Sequence, residues 1–153
     1  MSARLPLNTQ ARVSALEFES VAPRRGGRLL FAPFSASLEP GTFLGIVGPN
    51  GSGKSSLLSV VARTGVRATG AVRYGGSEIA RMRSRERARV MALMTQDSYA
   101  PNELRVLDIV RVGALAGAAE GAVSATDRSL DALAQLGIRD LAARAAVSPG
   151  PMV

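Results

Sequence analysis

Apolar residues along this chain follow two strand-like patterns. Ala15–Glu19 alternates between apolar and polar residues, which predicts a strand with one solvated face. Thr42–Val47 is almost continuously apolar, which is typical of a strand buried in a parallel sheet. Residues 29–37 predict another strand, and Pro33 within it indicates an edge or a bulge. Two shorter runs complete the predicted strands: Ala71–Tyr74 and Val90–Met94.

Turn residues separate these strands from helix-like segments. The predicted turns are residues 23–28, Glu39–Gly41 and Gly75–Gly76. The predicted helices are residues 54–63, 84–89, 104–113 and 126–136. Ser84 is the expected N-cap of the second helix. Four apolar side chains near the end are expected to face inward: Leu133, Leu136, Ile138 and Leu141.

Composition narrows the class of protein. A length of 153 residues indicates one domain, and 46% hydrophobic residues can form a core that is poor in aromatic side chains. The chain has no cysteine, which excludes a disulfide framework and a thiolate metal site. No apolar run reaches the ~18 residues of a membrane span. The segment Met1–Arg12 lacks the apolar region of a signal peptide.

Positive charge is concentrated in one short segment. The net charge is +7, and much of the excess lies in Arg81–Arg89. This segment could be a solvated helix face, or it could contact anionic lipid or a membrane partner. Nucleic-acid binding is the third interpretation. It is disfavoured because no aromatic stacking residues accompany the arginines, so we expect no nucleic acid as a partner.

The segment Gly48–Ser55 fits the phosphate-loop pattern G-x-x-x-x-G-K-[ST] at every fixed position. It lies between the predicted strand at Thr42–Val47 and the predicted helix that follows, which is the context that the pattern requires. Lys54 is the only lysine among 19 basic residues, and it occupies the one position where the pattern demands lysine. The alternative is a glycine-rich turn without a ligand.

The chemistry of a nucleotide triphosphate explains these residue types. Glycines allow backbone N–H groups to approach the phosphates closely. The positive end of the helix dipole adds about 0.3–1 kcal/mol per exposed charge. Lys54 would bind the β- and γ-phosphates, and the Ser55 hydroxyl would bind Mg²⁺. The loop therefore predicts a nucleotide triphosphate and Mg²⁺ as cofactors.

The order of these features resembles the ATP-binding subunit of ABC transporters from about Ala15 to Val147. Leu38–Thr42 and the following loop, with Asn50 at its centre, are similar to that family's Walker A region. Thr69–Gly76 is similar to a family turn and strand, and Met94–Asp97 looks like its Q-loop. The segment from Ile79 to Arg89 is similar to that of importers of the iron–siderophore, haem and cobalamin type.

The resemblance implies an α/β fold. Its parts would be an ABC-type P-loop NTPase core with an incomplete sheet, an antiparallel β region at the N-terminus, and the start of a helical subdomain. We predict a leader over residues 1–14, a partial ATP-binding domain over residues 15–147, divided at residue 95, and an irregular tail over residues 148–153. The candidate nucleotide-binding residues are Gly48, Pro49, Asn50, Gly51, Ser52, Gly53, Lys54, Ser55, Ser56, Arg25 and Gln96.

Two of these candidates depend on the resemblance alone. Gln96 would help Ser55 to hold Mg²⁺, and residues 97–103 would meet the transporter's coupling helix. The alternative for Gln96 is a solvated polar residue at a strand end. Arg25 stands where the family has an aromatic residue that stacks on adenine, and its guanidinium could either stack on the base or be solvated.

The resemblance implies the ATP-binding subunit of an importer of a metal chelate such as an iron–siderophore. Its expected partners are transmembrane permease subunits and a second ATP-binding subunit, on the cytoplasmic face of the membrane. The signature motif, Walker B and the catalytic Glu do not appear before Val153, and the chain has no His to act as the switch. We therefore expect a truncated subunit with little or no ATP turnover alone. The alternatives are a non-hydrolytic nucleotide-binding module that pairs with an intact ATPase, and another P-loop ATPase or kinase.

Overall fold

The structure, a computed structural model, describes residues 14–95, 104–116 and 124–146. These residues fall into two compact units, one ending at Leu93 and the other beginning at Met94. The predicted tail and nearly all of the predicted leader lie outside the described residues. So do Gln96 and the rest of the predicted coupling segment. The predicted domain boundaries therefore stay predictions.

An antiparallel sheet forms the first unit. Its strands are β1 (Leu16–Arg25), β2 (Arg28–Leu29), β3 (Phe34–Leu38), β4 (Arg67–Tyr74) and β5 (Ser77–Glu78). The central strand β1 pairs with β2, β3 and β4, and β5 pairs with β4, always in the antiparallel sense. The expected fold class, mixed α and β with an antiparallel β region and an incomplete sheet, is confirmed.

Strand β1 extends through the predicted turn at residues 23–28, which shrinks to the two residues Gly26 and Gly27. Pro23 lies inside the strand opposite Ala68, and its carbonyl accepts a hydrogen bond from the N–H of Leu30 at 2.9 Å. The single strand predicted over residues 29–37 is instead two strands, because residues 30–33, which include Pro33, separate β2 from β3.

A bulge in β1 faces Gly70 of β4. Glu19 pairs with Ala71 and Ala22 pairs with Thr69, so two residues of β1 oppose Gly70 alone. Ser20, in the bulge, has a φ of 48°. Gly70 has a φ of 69°, and a Cβ built on it would overlap the carbonyl oxygens of Glu19 and Ser20. The close approach of the two backbones therefore requires glycine at this position.

Helix α1 (Lys54–Ala62) covers one face of this sheet. Its buried residue Leu57 joins Phe18 and Val21 of β1 and Val72 of β4 in the core. Ile79 completes that core from a short 3-10 helix, Ile79–Arg81, and is 1% exposed. The helix that carries the end of the phosphate loop is thus anchored to the antiparallel sheet by apolar burial.

Two strand predictions are wrong. Thr42–Val47 and residues 91–94 are not strands, and Val90 ends helix α2 (Ser84–Val90). Phe43 and Val47 are 95% and 93% exposed instead of buried. The physical reason is that a strand needs a hydrogen-bonded neighbour, and no strand pairs with Thr42–Val47 among the residues that the structure describes.

The N-cap of the basic helix α2 lies one residue before the predicted N-cap. Arg83, not Ser84, is the N-cap, because the Arg83 backbone N–H donates to Oε2 of Glu86 at 2.8 Å. This carboxylate satisfies a donor at the helix start in place of a serine hydroxyl. The prediction of a short basic helix is correct: α2 contains three arginines and a single glutamate, and two more arginines, Arg81 and Arg83, precede it.

The second unit contains α3 (Val106–Ala116), α4 (Ala125–Gln135) and a short 3-10 helix, Arg139–Leu141. The N-cap Ser124 accepts a hydrogen bond from the Thr126 N–H at 3.2 Å. Leu133 is 1% exposed, as predicted, whereas Leu136 is 69% exposed and its prediction is wrong. Leu136 lies one residue beyond α4, where the chain turns through Gly137. Ile138 and Leu141 are half-buried.

No helix within the described ranges is both long enough and apolar enough to cross a membrane.

Candidate functional site

The glycine-rich loop curls in front of α1. The Ser52 backbone N–H donates to the carbonyl of Pro49 at 3.3 Å, which closes a turn inside the loop. Gly53 is the N-cap of α1 and has a φ of 98°, a conformation that costs a side-chain-bearing residue free energy. The chain therefore enters α1 directly from a tight turn.

Lys54 spans this loop. Its Nζ donates to the carbonyl oxygen of Gly48 at 2.8 Å and to that of Pro49 at 2.7 Å. The ammonium group has three donors, so these two bonds leave one for a ligand. Because Lys54 is half-buried, its charge lies at the surface of the loop and not in the core. The lysine both fixes the curl and presents a cation beside it.

The start of α1 suits an anion. Gly53 makes no side-chain cap, and the first turn of α1 contains no acidic residue. The first amides of a helix have no acceptor within the helix, so those of the first turn of α1 can point to a ligand. The aligned peptide dipoles add a partial positive charge at the same place. Ser55 is exposed here and Ser56 is half-buried.

Leu30 and Phe31 support the loop from the segment between β2 and β3. A Cβ on Gly53 would lie 3.2 Å from the Cβ of Leu30 and 3.2 Å from ring carbons of Phe31. Phe31 also lies against Phe34, with ring centroids 6.0 Å apart. Sequence reasoning missed these two supporting residues, because the contact joins segments that are distant in the chain and neither local pattern signals it.

Arg25 and Ser56 line the same cavity, which has a volume of about 630 Å³. The tip of the β1–β2 hairpin forms one side of it, and the segment from Gly65 to Arg67 forms another. Ser56 brings α1 to this cavity two residues after Lys54. Arg25, the predicted base-stacking residue, therefore lines a cavity that also reaches α1, the helix that follows the phosphate loop. Sequence reasoning missed Arg24 and Arg67, whose place in the cavity follows from strand pairing.

The metal ligands are only partly described. Ser55 stands at the start of α1, but Gln96 lies outside the described residues. Within the described part of the chain, no three Asp, Glu, His or Cys side chains gather in a way that could hold a metal ion. Of the two predicted metal ligands, the structure therefore describes only Ser55, whose hydroxyl at the start of α1 is of the kind that Mg²⁺ accepts as a ligand.

Comparison with known proteins shows the family of the chain. The ABC transporter family model matches residues 31–151. The chain is 33% identical over 129 residues to the hemin import ATP-binding protein HmuV of Bordetella bronchiseptica, covering 84% of this chain and 49% of the relative. It is 34% identical over 131 residues to HmuV of Gloeobacter violaceus, covering 84% and 47%.

A third relative has a different named cargo. The petrobactin import ATP-binding protein YclP of Bacillus subtilis is 31% identical over 98 residues, covering 64% of this chain and 39% of the relative. The chain thus spans about half the length, or less, of the curated relatives that it matches.

Proposed function

The chain belongs to the ABC transporter family, and on that premise we propose that it binds ATP with Mg²⁺ as the nucleotide-binding part of an importer ATPase. The observation that carries the proposal is the curled loop with Lys54 across it. Lys54 Nζ holds two loop carbonyls at 2.8 and 2.7 Å and keeps a donor for phosphate.

Each part of the site has a separate task in this proposal. The amides of Gly51 to Ser56 hold the phosphate oxygens, and Lys54 neutralises their charge from the side. Ser55 orients Mg²⁺, which bridges and neutralises phosphate oxygens when it is bound. Gln96 remains a proposed second contact to the metal. Arg25 lines the same cavity as Ser56, and in this proposal the base rests against it.

The wider role is also proposed. The relatives are named for import of hemin and of petrobactin, which supports a metal chelate as the transported substrate. An importer of this family works with permease subunits in the membrane and with a second ATP-binding subunit. The chain would accordingly lie at the cytoplasmic face of the membrane. The family match favours this role over that of an unrelated P-loop kinase.

Titration of the 153-residue chain with ATP and Mg²⁺ by isothermal calorimetry tests the proposal. Lys54→Ala should weaken binding by on the order of tenfold or more, because it removes a charge-assisted hydrogen bond. The matched control is Arg85→Ala, which removes one positive charge from the exposed surface of α2 and should leave the affinity unchanged. Equal affinities of the wild type and Lys54→Ala would contradict the proposal.

A further inference from the structure

Arginines gather at one end of the sheet, beside the phosphate loop. Arg24 and Arg25 end β1, Arg28 begins β2 and Arg67 begins β4. Strand pairing places Arg24 directly opposite Arg67, and Arg25 directly opposite Arg28. Like charges in directly opposed positions destabilise a sheet. All four side chains are exposed, so solvent and salt screen part of this repulsion, and the pairing of the sheet does not itself explain the arrangement.

No carboxylate relieves this repulsion in the described part of the chain. The ion pairs found there join Arg73 to Glu19, Arg81 to Glu78 and Arg111 to Asp108. None of them involves an arginine of the cluster. Each guanidinium carries five N–H donors and no acceptor. The cluster is thus a surface of donors that suits a ligand rich in acceptors.

Three of these arginines, Arg24, Arg25 and Arg67, share their cavity with Ser56 of α1. The volume of about 630 Å³ falls within the range of small-molecule sites. Since Ser56 adjoins the loop residues Lys54 and Ser55, a nucleotide with its phosphates on the loop would direct its base toward the arginines. The cavity is therefore the place where the base would be selected.

The two purines differ in what they offer to a guanidinium. Stacking on the planar group can hold either purine. Guanine presents two acceptors, O6 and N7, that match a guanidinium in a bidentate pair, whereas adenine presents N7 beside an amino donor. We propose that the cavity lined by Arg24, Arg25 and Arg67 selects a purine with an acceptor at position 6, so that GTP binds more tightly than ATP. This inference rests on the proposed nucleotide-binding function.

Competition titrations test whether the full chain prefers GTP. They use Mg²⁺ and four ligands: ATP, GTP, ITP and inorganic tripolyphosphate. GTP should bind about fivefold more tightly than ATP or better, the lower end of what a bidentate pair contributes. ITP keeps O6 and N7 but lacks the 2-amino group, so it should follow GTP. Tripolyphosphate contacts the loop alone and should not distinguish variants of the cavity.

Substitution of Arg67 is the second experiment that tests the preference for GTP. Arg67→Met should bring the GTP-to-ATP affinity ratio close to one while leaving tripolyphosphate binding unchanged, and the control Arg85→Met should keep the ratio. If ATP binds as tightly as GTP to the wild type, or if ITP follows ATP, the inference is overturned and the proposed function stands. If neither nucleotides nor tripolyphosphate bind, the proposed function fails and this inference fails with it.

Discussion

Replacing Gly70 by alanine would force a methyl group into the backbone of β1. The new Cβ would overlap the carbonyl oxygens of Glu19 and Ser20, which are backbone atoms and cannot rotate away. The residue would also keep a φ of 69°, which alanine rarely adopts. Because β1 ends at Arg25, a shift in the bulge would also disturb the arginine cavity.

The expected loss has two parts. The left-handed conformation costs about 1–2 kcal/mol for a residue with a Cβ. Forcing an added methyl group into a filled space typically costs a further 1–3 kcal/mol or so, and more where only backbone can move. Gly70→Ala should therefore lower the free energy of unfolding by about 2–5 kcal/mol, a large share of the roughly 5–15 kcal/mol that is typical of native proteins.

Urea denaturation followed by circular dichroism measures this loss. The matched control is Gly76→Ala in the turn between β4 and β5. Gly76 has a φ of 77° but no atom within 4 Å of the added Cβ. The control carries the conformational cost without the overlap and should lose only about 1–2 kcal/mol. Equal losses in the two variants would refute the description of the bulge against Gly70.

Three further outcomes follow from burial and exposure. Leu57→Ala should cost about 2–5 kcal/mol of unfolding free energy, because Leu57 is 7% exposed in the core. Its neighbour Leu58, 44% exposed, should cost about 0.5 kcal/mol on the same change, and urea midpoints compare the two. Phe43 and Val47 expose apolar surface, from which we expect self-association of the chain. The double variant Phe43→Ser, Val47→Ser should reduce this association in light scattering without loss of stability, because both side chains already face solvent. An unchanged size distribution would count against this.

Part of β1 and most of α1 could be predicted because their signals are local, whereas the antiparallel pairing was implied only by the family resemblance. Alternation marks a strand with one solvated face, and the glycine-rich pattern marks both the loop and the start of the helix at Lys54. The break at Pro33 follows from the chemistry of one residue. In these places the short-range pattern and the final structure agree, although β1 still depends on its neighbours for hydrogen bonds.

Thr42–Val47 could not be predicted in the same way. Its apolar character describes the environment that a buried parallel strand would have, but a strand forms only where another strand supplies hydrogen bonds. The support of Gly53 by Leu30 and Phe31 depends likewise on contacts between distant segments, as does the meeting of Arg24 with Arg67. The fold of the sheet, and not the local sequence, creates these parts of the site.

The measurement that tests the central claim most directly is an amide NMR titration of the ¹⁵N-labelled chain with ATP and Mg²⁺. If the loop holds phosphates through its backbone, the largest shifts should fall on the amides of Gly51, Gly53, Lys54, Ser55 and Ser56, and Lys54→Ala should diminish them. If the chemical shifts of these amides stay unchanged on titration while those of other residues change, the account is contradicted.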